Sequence, residues 1–131
     1  MKQLLTFTTA ALISVGASVA SAAPNGFQTM GINATDFEVI PRARMDIDGY
    51  WCAAADFARR SLGAGWQQRI YVLRGYGPSV TTGRKTAVQF TLNAPANAAQ
   101  QGSISLSSFQ PGESNSVQGA NARCSRRQVF N

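Results

Sequence analysis

The sequence contains no histidine. That absence removes every catalytic scheme built on a Ser-His or Cys-His pair, the side chain that shuttles protons near neutral pH, and most transition-metal sites. Acids are scarce as well. Asp36, Glu38, Asp46, Asp48, Asp56 and Glu113 are all there is in 131 residues, against twelve lysines and arginines. A carboxylate pair for glycoside hydrolysis would have to come from those six, and nothing in their order singles one out, because separation in space defines that chemistry. Cysteine occurs twice, at Cys52 and Cys124. There is no internal repeat, no heptad pattern and no sign of a second domain.

The N-terminus reads as an export signal. Lys2 gives a positive start, residues 4–19 are apolar or small without charge, and Ala20-Ser21-Ala22 has the small-x-small form of a cleavage site. We place the cut after Ala22, because cutting one residue later would leave Pro24 at the new N-terminus in a position signal peptidase disfavours. Thr, Ser and Gly break the run too often for a good membrane span, so no transmembrane segment is expected after cleavage. The remaining 109 of the 131 residues suit one domain, periplasmic or secreted. In such an oxidising compartment two cysteines favour a disulfide over a thiol or metal site. Closing a loop of about 70 residues stabilises by ~4 kcal/mol in the chain-entropy picture.

Residues 49–63 organise the rest. At about 100° per residue, Trp51, Ala54, Ala55, Ala58 and Leu62 share one helix face while Asp56, Arg59 and Arg60 fall away from it. The alanines allow close approach to a sheet. Asp48 or Asp46 suits the N-cap, and Arg59, Arg60 and then Gly63 suit the C-terminal end. Asp56 and Arg60 stand at i,i+4 and should pair.

Before this helix, residues 23–34 are small and polar and are expected as a flexible lead-in; Phe37 and Val39 then alternate with Glu38 in a short strand that stops at Pro41. After it, Ile70-Tyr71-Val72-Leu73 is the best strand and is expected to be central, and Val88, Phe90 and Leu92 mark a second strand paired with it as an antiparallel hairpin. Residues 93–102 read as a loop, 103–107 as a one-sided strand burying Ile104 and Leu106, 110–121 as a polar connection, and Val129-Phe130 as a last short strand. The fold class that results is α+β: one main helix on an antiparallel sheet of 3–5 strands, with the helix pinned to the C-terminal segment by a disulfide between Cys52 and Cys124. Domain limits are 1–22 for the signal, 23–34 for the lead-in and 35–131 for the domain.

Two local motifs reduce to structure. The stretch from Gly77 to Thr86 contains Gly83-Arg84-Lys85-Thr86, but five residues separate its glycines, an arginine precedes the lysine, and a strand follows where a phosphate loop needs a helix; it is a hairpin loop. Asp46-Ile47-Asp48-Gly49 lacks the further ligands of a calcium loop and fits helix capping. No cofactor and no metal is implied, and no nucleic-acid motif is present.

The basic residues are what remains. Without the signal there are eleven of them against six acids, a net charge of +5, and all but Lys85 are arginine, whose rigid fork of donors matches carboxylate and phosphate. Arg84 and Lys85 fall at the hairpin tip, and Arg123, Arg126 and Arg127 follow the second cysteine, which would tether them near the helix start. Together these five are the candidate anion-binding set.

The segment Tyr50-Trp51-Cys52-Ala53-Ala54-Ala55-Asp56-Phe57-Ala58, followed by Arg69-Ile70-Tyr71-Val72-Leu73-Arg74-Gly75 and the Gly77-Pro78 loop, resembles small exported bacterial proteins of unassigned function. The resemblance covers about half of the chain left after signal removal, and implies a compact exported unit but no activity, ligand or catalytic residue. The functional expectation is a non-enzymatic exported domain that binds anionic envelope material or an acidic protein. The alternatives are a small inhibitor of an exported hydrolase, presenting the loop at 75–85, and a carboxylate-dependent hydrolase.

Overall fold

The structure, a computed structural model, describes residues 20–42, 46–96 and 109–126. It is an α+β fold with eight elements among the described residues: β1 (Ala20–Ala22), β2 (Gln28–Gly31), β3 (Asp36–Ile40), α1 (Ile47–Arg60), β4 (Arg69–Gly77), β5 (Ala87–Thr91), β6 (Ser114–Ser116) and α2 (Val117–Arg126). The strands form one antiparallel sheet in the order β1-β2-β3-β5-β4-β6. Its sixth strand lies beyond the expected three to five, and is the three-residue edge strand β1, which falls within the segment read as an export signal. The hairpin β4-β5 is present as expected. Its strand β4 is next to the edge, and β3 and β5 occupy the centre.

Register divides the sheet into two unlike faces. Phe37 stands opposite Gly31 and Phe90, and Val39 opposite Thr29 and Val88, so these side chains share the face that meets α1. The Phe37 ring lies 4.8 Å from that of Phe57 on the helix and 5.7 Å from that of Phe90. Trp51 continues the packing onto Phe90 at 5.2 Å and Phe109 at 5.9 Å. Such ring clusters add directional contacts to the burial of large apolar surfaces. Glu38, opposite Met30 and Gln89, points to the other face.

Helix α1 starts where the chemistry of its first residues dictates. Asp46 is the N-cap, extended at φ −107° and ψ 117°, and its carboxylate accepts the N–H of Asp48 at 3.2 Å. At the far end Gly63 adopts φ +69° and lets the Ala64 N–H reach the Ala58 carbonyl at 2.8 Å. Arg60 pairs with Asp56 at 3.0 Å. Gly49 is needed for packing: a Cβ there would come within 2.6 Å of the Phe27 ring.

Three expectations are corrected. First, residues 23–34 hold β2, and Phe27 is buried beneath the start of α1; a single large ring suffices to anchor a segment whose other residues are small and polar. Second, residues 110–121 hold β6 and the first half of α2. Val117 and Ala120 are buried at i,i+3 with Cys124 one turn further on, and the Ser116 hydroxyl accepts the Gly119 N–H at 3.0 Å, which caps the helix. Third, α1 is not buried along one stripe only. Gly49 to Ala58 are all buried, Asp56 included, because α2 packs against α1 in addition to the sheet. The disulfide Cys52–Cys124 joins the two helices with a Cα separation of 4.9 Å, well inside the limit of about 7 Å for such a bridge. The strand at 103–107, the strand at Val129-Phe130 and most of the loop at 93–102 lie outside the described residues.

Candidate functional site

The loop from Pro78 to Thr86, joining β4 to β5, folds back over the polar face of the sheet and closes on Glu38. Glu38 is fully buried. A carboxylate in that position requires compensation, since an unpaired buried charge costs several kcal/mol. The loop supplies it. Oε1 accepts the hydroxyls of Ser79 and Thr81 and, at 3.0 Å, the Thr81 N–H. Oε2 accepts the Val80 N–H at 3.1 Å. Burial pushes the Glu38 carboxyl up, but the hydroxyls of Ser79 and Thr81 and the two amides outweigh it and hold the group below its usual range.

Around this anchor the loop bonds to itself. The Ser79 Oγ accepts the Thr82 N–H at 2.8 Å, the Ser79 N–H donates to the Arg84 carbonyl at 2.6 Å, and the Gly83 N–H donates to the Ser79 carbonyl at 3.2 Å. At the loop's end the buried Tyr50 hydroxyl donates to the Thr86 carbonyl at 2.6 Å, tying the segment to the first turn of α1. Burial first, and then the neighbouring Tyr76, push the Tyr50 phenol up, so it stays a donor throughout the ordinary pH range. The outcome is a short loop fixed at both ends and in the middle, with Val80 at its crown 64 % exposed and Arg84 and Lys85 exposed beside it.

The sequence-expected cations separate into two groups. Arg84 and Lys85 lie on this loop, and among the described residues neither is paired with an acid. Arg123 is instead committed to structure: its guanidinium donates to Asp48 at 2.8 Å and is largely covered. That contact sits at the helix start, where the tether from Cys124 was expected to bring it. Arg126 ends α2 and Arg127 lies outside the described residues.

Five of the six acids have clear structural roles. Asp36 orders the β2-β3 turn through Asn33 and Thr35, Glu38 holds the loop, Asp46 caps α1, Asp48 takes Arg123 and Asp56 takes Arg60. Glu113 is buried with an interaction of its own, while its Oε2 takes no hydrogen bond among the described residues. Burial raises the Asp36 carboxyl, but hydrogen bonds from Thr91, Asn33 and Thr35 win and lower it. Among the described residues no cluster of acids and cysteines has the geometry of a metal site. The role of Glu38 escapes sequence reading, where alternation shows only that it faces away from Phe37 and Val39. A signal is nonetheless present in Ser79-Val80-Thr81-Thr82, a run of hydroxyls and free amides suited to wrapping an anion.

Compared with known protein families, characterised proteins and solved structures, the chain matches none.

Proposed function

We propose that this protein is an exported binding domain that docks an acidic protein surface through the loop at 78–85. The observation that carries the reading is the buried Glu38 carboxylate holding four donors of Ser79, Val80 and Thr81, which fixes the backbone at Val80 before any partner arrives. Through the bonds of Ser79 and Thr82 to the Arg84 backbone, it also fixes the loop that carries Arg84 and Lys85. A prepaid loop loses little conformational entropy on binding, which is where flexible loops forfeit affinity. Val80 offers an apolar anchor and the two cations offer complementarity to carboxylates. The structural commitment of Asp36, Glu38, Asp46, Asp48 and Asp56 leaves no uncommitted pair of carboxylates among the described residues, which favours binding over paired-carboxylate chemistry.

A second reading, inhibition of an exported hydrolase, is favoured by the exposure of Val80 on a rigid crown, the shape that fills a cleft. Both are tested with a photo-crosslinking residue at position 80 in the exported fraction of producing cells. An acidic protein captured by the wild-type loop, and lost on Arg84→Glu/Lys85→Glu, supports the proposal; if that protein is a hydrolase losing activity when bound, the inhibitor reading is the right one. Undiminished capture by the charge-reversed variant, or capture of anionic polymer alone with a steep salt dependence, overturns the acidic-protein assignment.

A further inference from the structure

At the other end of α1 a second feature stands apart from the loop. Trp66 follows the C-terminus of the helix and is 46 % exposed, although its neighbours hold it in place. Its carbonyl accepts the Gln118 N–H at 3.0 Å and the Gln68 carbonyl accepts the Val117 N–H at 2.8 Å, so the turn before β4 is stitched to the first turn of α2. The Arg59 guanidinium lies 4.1 Å from the indole centroid and fixes the ring from one side.

Between this turn and α2 lies a shallow cavity, wide open to solvent, of about 530 Å³, lined by Trp66, Gln67, Gln118, Asn121 and Ala122. Its size falls within the range of small-ligand sites. The lining has a consistent chemistry. Among the described residues it contains no charged side chain, one large aromatic surface, and three primary amides, none of which is engaged in a side-chain hydrogen bond. Each amide both donates and accepts, and so does each hydroxyl of a sugar. An exposed indole suits the weakly positive C–H face of a pyranose, because the aromatic face carries the negative part of the quadrupole. The cation beside the ring, Arg59, is already engaged with one face of the indole, which leaves the opposite face for a ligand, and a purely apolar ligand would give the three amides no partners.

We propose that the cavity between Trp66 and Asn121 is a binding site for a neutral saccharide ring, seated on the indole and hydrogen-bonded by Gln67, Gln118 and Asn121. The chain has two tryptophans, and Trp51 is fully buried, so a ligand-induced change in emission reports Trp66.

The experiment titrates the full chain with soluble oligomers of glucose and of N-acetylglucosamine, with adenosine as control, following tryptophan emission and heat. A saturable emission change with one sugar is expected. Gln118→Ala, which keeps the reporter, should weaken it about fivefold or more, and Trp66→Ala should weaken binding about tenfold or more by calorimetry. Arg84→Ala/Lys85→Ala should leave it unchanged, which separates this site from the loop. No response to either sugar, equal affinity in Gln118→Ala, or tighter binding of adenosine than of both sugars would overturn the assignment. If Trp66→Ala does not fold, Gln118→Ala and Asn121→Ala decide.

Discussion

Thr81 bonds twice to Glu38, through its backbone N–H and its hydroxyl, across 43 residues of sequence. A β-strand side chain on the polar face of the sheet thereby fixes the middle of a loop that would otherwise be held by its own turns and by Tyr50 at Thr86. Glu38→Gln keeps the shape but puts an N–H₂ group where donors now converge. Leaving buried donors unsatisfied costs about 1–3 kcal/mol, and urea unfolding of the variant should show a loss in that range.

Acid should weaken the same contact. The folded Glu38 carboxyl titrates below its usual 4.5, and Asp36 below its usual 3.8. For a carboxyl depressed on folding, the stabilisation is complete above the unfolded-state value and disappears as pH falls through the folded-state value. Stability is therefore expected to hold from neutrality down to the ordinary carboxylate range and to decline below it. Glu38→Gln should have a shallower decline, measured as unfolding free energy against pH.

Removing the Cys52–Cys124 bridge should be the most damaging change on the far side of the molecule. The bridge spans 72 residues and clamps α2 to α1, and cross-links of that span are worth about 4 kcal/mol in the chain-entropy picture. Cys52→Ala/Cys124→Ala is expected to lose a comparable amount, with amide exchange in α2 accelerating first.

Gly49→Ala runs against helix propensity. Alanine in a helix interior is favoured over glycine by about 1 kcal/mol, yet the added Cβ would lie 2.6 Å from the Phe27 ring. Thermal unfolding should show a lowered midpoint. Gly49→Ala combined with Phe27→Ala should lose less than the sum of the two single changes, because the clash is removed with the ring.

Local chemistry made much of this fold legible in the sequence. Asp46 and Gly63 bound α1 because a carboxylate cap and a left-handed glycine are local requirements, and the alternation of Val88 and Phe90 marks β5 for the same reason. Cys52 and Cys124 could pair only with each other. What escaped depends on distant partners. The second helix carries a narrow stripe of Val117, Ala120 and Cys124 interrupted by Gly119, and the burial of Val117 and Ala120 shows only once α1 is in place. Residues 23–34 read as a lead-in because the ring of Phe27 has no local periodicity to announce it. For Glu38 the alternation shows only the face opposite Phe37 and Val39, because nothing within its own strand shows that a loop 41 residues later returns to cover it. Of the five candidate cations, Arg84 and Lys85 stand on the loop, whereas Arg123 turns inward to Asp48, a partner fixed by the docking of α2.

The most direct test of the account is native-state hydrogen exchange at the Val80 and Thr81 amides, in the wild-type protein and in Glu38→Gln. Strong protection in the wild type, lost selectively in the variant while β3 and β5 remain protected, is the expected result. If both amides exchange at unprotected rates in the wild type, Glu38 does not hold the loop, and the preformed docking surface proposed for it does not exist.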